Sequence, residues 1–301
     1  MNKVLHFLVS KLFWGILIHF VNDYWYAKIR YWLVMDKWGD FHDPVLFTEK
    51  IQYIKLYERT KLRKMVADRL KVRNYVLTKV GEEHLIPLLG NYDTLKQKDW
   101  NILPDQFVLK ANHGCGMVKI ITDKTQQSYE HIIALTEKWK NIDYYQIGHE
   151  WVYKGLSREI IAETLITDSN NRIPKDWKFF CFHGEVKVIQ EDVGRYESEP
   201  HTRNLYDRNF NKIEAKLLYP PYSGKTQKPE LWDLAIEVAE SLSSDFNFIR
   251  VDLYITQSNV YFGELTNYPG NGFIPFEPRS MEYKIGNLLD LKKHAVSQSN
   301  A

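Results

Sequence analysis

An arginine and two carboxylates lie close together in sequence near the C-terminal end of the chain, within residues 248–273. Apolar and polar residues alternate from Phe248 to Thr256, a pattern typical of a β-strand with one buried face. Arg250 and Asp252 are two residues apart, so they lie on the same face of that strand. An arginine and a carboxylate on one strand face are suited to binding a metal-bound polyphosphate.

The second carboxylate, Glu264, lies on a strand that returns from a hairpin loop at residues 257–259. If Thr256 pairs with Val260 across that loop, Glu264 falls directly opposite Asp252. Directly opposed residues have Cβ atoms roughly 5 Å apart, and two like charges so placed repel each other. A cation would remove the repulsion, and Mg²⁺ suits one or two carboxylates together with substrate phosphates. We therefore predict that Asp252 and Glu264 are metal ligands.

A neutral oxygen just beyond the second strand would complete this metal site. We predict that Asn267 supplies it, with Thr266 as the alternative. Isolated acidic pairs more often lie on a solvated strand face. Here the two acids share their face with Arg250 and lead into the glycine-containing loop 268–272, which favours the metal site.

A second feature suited to phosphate chemistry is a glycine-containing loop between two short predicted strands, residues 107–110 and 118–121. Gly114 and Gly116 allow backbone N–H groups to close over phosphates, and Lys110 supplies a positive charge at the base of the loop. Alone this signal is weak, because hairpins often require glycine. The loop lacks the G-x-x-x-x-G-K-[ST] pattern of a P-loop.

Three segments together resemble a known family. R-V-D, a hairpin and G-E-L-T-x-x-P-G-x-G-F resemble the catalytic end of the ATP-grasp superfamily, specifically its TupA-like branch. F-V-L-K-x-N-H-G-x-G-M resembles the lid strand and loop of that superfamily, and residues 44–73 resemble the N-terminal signature of the branch. The resemblance covers about residues 44–276. It implies an α+β protein with the ATP-grasp fold, in which two α+β lobes hold ATP between them.

The resemblance also assigns roles to individual residues. It implies that the lid side of the nucleotide site is formed by Lys110, His113, Gly114 and Gly116. Glu163 would meet adenine, Asp176 the ribose and Lys178 the terminal phosphate. One position departs from the family, because Asp68 is followed by Arg69 where Asp-Lys is common, and arginine lacks the compact ammonium geometry.

In this family a carboxylate attacks the γ-phosphate of ATP and an amine captures the resulting acyl phosphate. The resemblance thus implies an ATP-dependent, ADP-forming carboxylate–amine ligase that uses Mg²⁺, with Arg250 and Lys178 as catalytic residues. The TupA-like branch, associated with surface polysaccharide synthesis, implies a uronic-acid glycan or lipid-linked sugar joined to an amino acid. We predict that residues 192–208 form a loop, in which Arg195 and Arg203 would bind an anionic acceptor.

Two other functions remain open from the sequence. A glycosyltransferase that uses a nucleotide sugar would fit polysaccharide synthesis, although the chain contains no D-x-D metal motif. A nucleotide- or glycan-binding protein without catalytic activity is the other, and Arg69 in place of lysine is the one feature that favours it.

Composition limits the class of protein and its partners. The 301 residues are 44% hydrophobic and 26% charged, enough to bury a full core. Forty basic residues against 38 acidic ones give a net charge of +2, which does not indicate nucleic acid as a partner. The two cysteines offer no disulfide framework and suit a reducing compartment, so we expect a cytoplasmic protein.

The N-terminal segment is apolar and then rich in aromatic and basic residues. Residues 1–38 are a poor membrane-spanning helix, but aromatic residues mixed with cations favour a membrane interface, here the inner face. Packing against the protein's own core is the equal alternative. We divide the chain into this segment (1–43), a helical lobe (44–100), a lid subdomain (101–158) and a catalytic subdomain (159–301).

Overall fold

The structure is a computed structural model that describes residues 13–14, 18, 20–168, 170–194 and 201–293. Its helices are α1 Asp23–Met35, α2 Phe47–Tyr57, α3 Lys61–Val66, α4 Val72–Val80, α5 Gln97–Ile102, α6 Tyr129–Lys140, α7 Tyr144–Gly148, α8 Trp232–Ser243 and α9 Arg279–Gly286. Its strands are β1 Leu88–Tyr92, β2 Phe107–Ala111, β3 Val118–Ile121, β4 Ile160–Thr164, β5 Asp176–Phe182, β6 Glu185–Val193, β7 Thr202–Tyr206, β8 Lys216–Leu217, β9 Phe248–Ile255, β10 Val260–Thr266 and β11 Phe276–Glu277.

The strands form two main antiparallel sheets. The lid sheet has the order β1-β4-β2-β3 and the catalytic sheet the order β10-β9-β5-β6-β7, while β8 and β11 form a small separate pair. The predicted α+β class is confirmed. The predicted segment boundaries do not follow the sheets, because the lid sheet takes β1 from residues 44–100 and β4 from residues 159–301. Pairing between strands that are distant in sequence determines the sheets.

Helix α8 packs under the catalytic sheet. Ala235, Val238 and Leu242 are buried in one core cluster with residues of β5 and β9, among them Phe179 and Cys181. Because side chains alternate along a strand, this packing turns Lys178, which precedes Phe179, to the opposite face of the sheet. The core under β5 therefore fixes the direction in which that lysine points.

In the β9–β10 hairpin Glu264 lies opposite Asp252, as predicted, but the pairing of the two strands is irregular. Near the turn Val260 pairs with Ile255, one residue away from the register that we predicted. A bulge between Phe262 and Glu264 then shifts the ladder, so that Glu264 pairs with Asp252. Without the bulge, a slip of one residue would turn Glu264 to the other face.

Gly263 makes that bulge sterically possible. A Cβ atom at this position would lie 2.9 Å from the carbonyl oxygen of Asp252, closer than real Cβ contacts. The backbone of the two strands therefore approaches too closely for any side chain at residue 263. Periodicity alone could not predict the bulge, because a glycine in a strand is compatible with a regular ladder.

The segment 192–208, which we predicted to be a loop, contains a strand. β7 pairs with β6, and Leu205 is buried in a core cluster. The short sequence T-R-N-L-Y shows no strong alternation because its polar side chains are also buried. Its place in the sheet is therefore determined by tertiary partners.

The N-terminal helix α1 packs against the protein with one face. Tyr26 and Tyr31 are fully buried in a cluster with Phe41 and Phe273, so this face is part of the core. On the outer side Trp25 and Trp38 are 53% and 57% exposed. Within the described residues, no helix is both long and apolar enough to cross a membrane.

A lysine is buried where α1 and α2 meet the loop that follows β10. The Lys55 ammonium donates to the side-chain oxygen of Asn271 at 2.7 Å and lies 4.7 Å from the centre of the Phe273 ring. Burial lowers the pKa of Lys55 to about 7; the Glu150 carboxylate opposes this effect, and the positive charge of Arg30 adds to it. The cost of burying this cation depends on pH.

We predict that replacing Lys55 by methionine changes how stability depends on pH. The lysine of the unfolded chain has an ordinary pKa of 10.5. Between about pH 7 and 10.5 the unfolded chain therefore binds a proton here that the folded chain does not, and stability rises with pH. Relative to Lys55→Met, the free energy of unfolding of the original chain should rise by up to about 1.4 kcal/mol per pH unit.

Urea unfolding at pH 7, 8 and 9 measures this difference. Lys61→Met, at an exposed position at the start of α3, is the matched control and should show no such trend. A difference between the original chain and Lys55→Met that is flat or falls with pH would show that the buried lysine stays charged.

Candidate active site

A cleft of about 540 Å³ separates the lid sheet from the catalytic sheet. Strand residues of both sheets and the glycine-containing loop line it. The apolar part of its lining comes mainly from the lid sheet and the segment after β4, and consists of Ile86, Val108, Val118, Ile120, Leu165, Ile166 and Ile173. The charged residues that the catalytic sheet contributes are Asp176, Lys178, Arg250, Asp252 and Glu264, and those of the opposite side are Arg69, Lys110, Lys119 and Glu163. The apolar part of the lining suits a flat apolar base, and the charged part suits a polyphosphate.

The charged residues form a row across the catalytic sheet. Glu264 pairs with Asp252 on one side, and Lys178 pairs with Asp252 on the other. The Lys178 ammonium lies 3.4 Å from an Asp252 carboxylate oxygen and also contacts Asp176. Arg250 donates from Nε and Nη2 to the two oxygens of Asp252, both at 2.6 Å, and its Nη2 lies 3.5 Å from Glu264 Oε1. The predicted cluster of Arg250, Lys178, Asp252 and Glu264 is therefore assembled.

The two acids differ in their affinity for a proton. Burial raises the pKa of Asp252 to about 6, although Arg250 and Lys178 oppose that effect. Burial also acts to raise the pKa of Glu264, but Arg69, Arg250 and Lys178 outweigh it and lower the value to about 2. Burial would lower the pKa of Lys178, and Asp252 and Asp176 outweigh it in the other direction. Glu264 therefore keeps its negative charge down to low pH.

The donor set fits Mg²⁺. Two carboxylates from adjacent strands converge, and the Thr266 hydroxyl lies 2.9 Å from Glu264 Oε1 and 3.1 Å from Arg250 Nη2. Oxygen ligands of this kind, with room left for phosphate oxygens, suit a hard divalent cation. Asp252 and Glu264 would hold the ion, and Thr266 is the neutral oxygen nearest to them.

Asn267, which we predicted as the third ligand, is engaged elsewhere. Its side-chain oxygen accepts from Arg63 Nη1 at 3.2 Å, and its amide nitrogen donates to the Arg63 carbonyl at 3.0 Å. Alternation along β10 turns residue 267 away from the face that carries residues 264 and 266. The prediction of Asn267 as a metal ligand is therefore wrong in this structure.

On the lid side, Glu163 lies between two cations. Its carboxylate accepts from the Lys110 ammonium at 2.6 Å and from Arg73 Nη1 at 3.1 Å. All three residues line a small cavity of about 30 Å³ next to the cleft. Glu163 and Lys110 therefore meet at the lid wall of the cleft, and Asp176 lies across it beside Lys178.

The glycine-containing loop borders the cleft, but one predicted residue of it does not. Gly116 lines the cleft and has a φ of +76°, a conformation that favours glycine. Gly114 lines the adjoining small cavity. His113 is buried on the other side, with Nε2 3.1 Å from the carbonyl oxygen of Trp139 at the end of α6. His113 therefore anchors the loop to α6. This contact replaces the nucleotide-binding role that we predicted for it.

Arg203 also makes structural contacts. It is buried, its Nε donates to Asp192 at 2.6 Å, and its Nη1 donates to the Leu217 carbonyl at 3.0 Å. These bonds oppose the prediction that Arg203 binds substrate, because its guanidinium already neutralises a buried carboxylate. Arg195, the other predicted substrate residue, lies outside the described residues.

Two arginines of the N-terminal lobe reach the site and were not predicted to do so. Arg73 binds Glu163, and Arg69 Nη2 lies 3.4 Å from Glu264 Oε2. One feature of the sequence pointed to Arg69, namely its departure from the family pattern Asp-Lys. No feature pointed to Arg73, which lies in a generally basic stretch. Exposed Cys115 also borders the cleft.

Comparisons with known proteins agree with the resemblance seen in the sequence. The model of the family described as TupA-like ATPgrasp matches residues 49–290, most of the chain. Among solved structures, D-alanine–D-alanine ligase from Bacillus anthracis complexed with ATP is 15% identical with a TM-score of 0.39, and the match covers 67% of this chain and 54% of that one. No match was found among curated proteins.

Two further solved structures are similar to the chain at a comparable level. L-amino acid ligase from Bacillus licheniformis is 15% identical with a TM-score of 0.43, over 90% of this chain and 56% of that one. D-alanine–D-alanine ligase from Helicobacter pylori is 13% identical with a TM-score of 0.42, over 81% of this chain and 69% of that one. The chain thus spans little more than half the length of the ligases from the two Bacillus species.

We predict that Thr266→Val weakens Mg²⁺-dependent ATP binding, whereas Asn267→Ala lowers the stability of the fold. Valine keeps the shape of threonine but removes the hydroxyl beside Glu264, so a higher Mg²⁺ concentration should be needed for tight ATP binding. Asn267→Ala leaves buried groups of Arg63 without their partners, and such a loss typically costs about 1–3 kcal/mol. It should lower the free energy of unfolding by that amount.

Titration calorimetry of ATP at a series of Mg²⁺ concentrations, together with urea unfolding of each variant, separates the two roles. Asn267→Ala should retain the Mg²⁺ dependence of the original chain below its unfolding transition. The opposite pattern, with Mg²⁺ dependence lost in Asn267→Ala and kept in Thr266→Val, would restore Asn267 as the ligand.

Proposed function

The chain belongs to the TupA-like ATP-grasp family, and we propose from this that it is a ligase which joins a carboxylate to an amine, with cleavage of ATP to ADP and phosphate. One observation supports the proposal above the others, namely the row formed by Glu264, Asp252 and Lys178 with Arg250 beside it. This row places two cations and two carboxylates side by side on the catalytic-sheet wall of the cleft. Such a group stabilises charge on a phosphoryl group during transfer.

In the first step, an oxygen of the substrate carboxylate attacks the γ-phosphorus. The bond from that phosphorus to the bridging oxygen breaks, ADP leaves with the electron pair, and an acyl phosphate remains. Arg250 and Lys178 face the position where negative charge develops on the transferred group. Their positive charges stay fixed because buried carboxylates hold both side chains in place. This positioning avoids reorganisation during the reaction.

In the second step, the nitrogen of an uncharged amine attacks the acyl carbon. The carbon–oxygen bond to phosphate breaks, inorganic phosphate leaves with the electron pair, and the nitrogen passes a proton to that phosphate to form the amide. Mg²⁺, when bound, supplies charge neutralisation at the phosphates, and Asp252 and Glu264 are the residues that would hold it. The lid wall with Lys110 and Glu163, together with Gly116, would bind the nucleotide.

For the substrates, we propose a uronic-acid-containing surface glycan or its lipid-linked precursor as the carboxylate and an amino acid as the amine. The resemblance of residues 44–276 to a branch associated with surface polysaccharide synthesis supports this choice. A glycosyltransferase would need groups around the anomeric carbon of a nucleotide sugar. The arrangement of Arg250, Asp252 and Glu264 suits a phosphoryl group instead.

The test is the fate of oxygen in the substrate carboxylate. With a glucuronate oligosaccharide labelled with ¹⁸O in its carboxylates, one labelled oxygen should appear in each inorganic phosphate released. Glu264→Gln should lower the rate of transfer by about 10²- to 10³-fold, the usual cost of losing a well-placed electrostatic group. At saturating Mg²⁺ its ATP affinity should fall by a smaller factor, because a contact made mainly in the transition state affects kcat.

Glu277→Gln is the matched control, since Glu277 is an exposed residue paired with Lys216 in the separate β8–β11 pair and does not line the cleft. It should transfer label at the original rate. Amide formation with no ¹⁸O in phosphate would rule out the acyl phosphate. Tight binding of a uridine-diphosphate sugar together with no ATP binding would favour the glycosyltransferase.

We also propose that the outer side of the N-terminal region contacts the inner face of the membrane, where a lipid-linked substrate would lie. Exposed Trp25 and Trp38 support this, because tryptophan favours the interface between lipid and water. Truncation is a poor test, since the same helix buries Tyr26 and Tyr31 in the core. Substitution of the exposed tryptophans leaves that packing in place.

We predict that the full chain floats with vesicles containing phosphatidylglycerol, and that the double variant Trp25→Ser, Trp38→Ser does not. Ile102→Ser removes an exposed apolar side chain from α5 and should float like the original chain. Equal flotation of the original chain and the double variant, or no flotation of either, would contradict the proposed contact.

A further inference from the structure

The turn between α3 and α4 is joined to the base of the glycine-containing loop. The backbone N–H of Arg69 donates to the Asn112 carbonyl at 3.2 Å, and the Asn112 side-chain nitrogen donates to Asp68 at 3.2 Å. Asp68 is fully buried and also accepts from the backbone N–H of Leu70 at 3.0 Å. The turn is therefore a rigid support for the strand end from which the loop departs.

The side chain of Arg69 extends from this support across the loop to the acids. Its Nη1 donates to the Ala111 carbonyl at 2.7 Å and also to the Gly114 carbonyl. Its Nη2 lies 3.4 Å from Glu264 Oε2 on the other side of the cleft. One guanidinium thus contacts the last residue of β2, the middle of the loop and a predicted metal ligand.

These contacts explain why an arginine is useful where the family commonly has a lysine. The guanidinium is a planar fork whose nitrogens point in fixed and different directions, so two carbonyls and one carboxylate can be met at once. A lysine has a single nitrogen on a flexible stem. It could neutralise Glu264 or bind a carbonyl, but it would not hold these three partners at fixed positions.

We infer that Arg69 is a positioning residue that holds the glycine-containing loop in place over the cleft and ties it to Glu264. The inference builds on the proposed function, because it assumes that the loop closes over the phosphates of ATP. Nucleotide binding orders such a loop at an entropic cost, and a loop that is already anchored avoids part of that cost. Arg69 acts on the nucleotide through the loop.

Hydrogen exchange of the loop amides in the absence of nucleotide tests this. The Ala111 and Asn112 N–H groups donate to the carbonyls of Met117 and Glu159, both at 3.1 Å, and so report on closure of the loop base. In Arg69→Lys, which keeps the charge, a peptide covering residues 107–121 should exchange about tenfold faster. This is the effect of losing one or two net hydrogen bonds. The α8 peptide should exchange as in the original chain.

Arg73→Lys is the matched control. Arg73 lies one turn further along and binds Glu163 and the Ile86 carbonyl, but not the loop, so its variant should leave exchange of residues 107–121 unchanged. If Arg69→Lys exchanges faster everywhere and is thus globally destabilised, Arg69→Gln takes its place. The glutamine amide can still donate to one of the two carbonyls, and its effect should again be confined to the loop peptide.

A second measurement extends the test to ATP. Cys115 borders the cleft in this loop, and the chain's other cysteine, Cys181, is buried, so alkylation reports on the loop. ATP with Mg²⁺ should protect Cys115, and Arg69→Lys should need about tenfold more ATP for half protection. Cys115→Ser gives the background.

Unchanged loop exchange in Arg69→Lys would overturn the inference, and weaker ATP protection with unchanged exchange would instead make Arg69 a direct phosphate contact. Neither readout requires turnover. A loosened loop in a chain that shows no ¹⁸O transfer would keep the inference and reject the proposed ligase reaction. Transfer of label with unchanged loop exchange would keep the reaction and reject the inference.

Discussion

The mutual repulsion of Asp252 and Glu264 is the constraint that determines where the positive charges of the site must lie. The two carboxylates oppose each other across β9 and β10, and this arrangement is unfavourable unless positive charge surrounds it. Arg250 supplies that charge from the same strand, Lys178 from the neighbouring strand and Arg69 from the N-terminal lobe. Each cation also has a second contact that fixes its direction. These contacts compensate the repulsion and hold both carboxylates at the wall of the cleft.

These cations come from different parts of the fold, and so the site exists only when the parts are packed together. The core under β5 turns Lys178 into the cleft, and the Asp68–Asn112 contact sets the turn that carries Arg69. The lid sheet contributes Lys110 and Glu163 from strands that pair directly with each other. Assembly of the site is therefore a consequence of tertiary folding, and disturbance of one lobe changes the electrostatics of the other.

The sequence predicted the two strands of the β9–β10 hairpin because alternation is a short-range pattern, but the predicted opposition of the acids depends in the structure on the bulge at Gly263. Alternation with a period of two determines which residues share a strand face, and the β9–β10 and β5–β6 hairpins show it clearly. The same rule, applied beyond Glu264, favours Thr266 over Asn267, so that error was avoidable. His113 and Arg203 could not be predicted in this way. Their directions depend on the Trp139 carbonyl and on Asp192, partners that periodicity does not identify.

The bulge at Gly263 separates the hairpin into two independent registers. The part near the turn follows one ladder, and the part that holds Glu264 and Asp252 follows another. An insertion or deletion of one residue in the turn can therefore be absorbed by loss or displacement of the bulge, without moving the acids. We therefore expect the turn to vary in length by single residues among relatives of this chain, whereas regular hairpins tolerate changes in steps of two. A sequence alignment should place such gaps on the turn side of this glycine, and the spacing from the glycine to the acid should stay fixed.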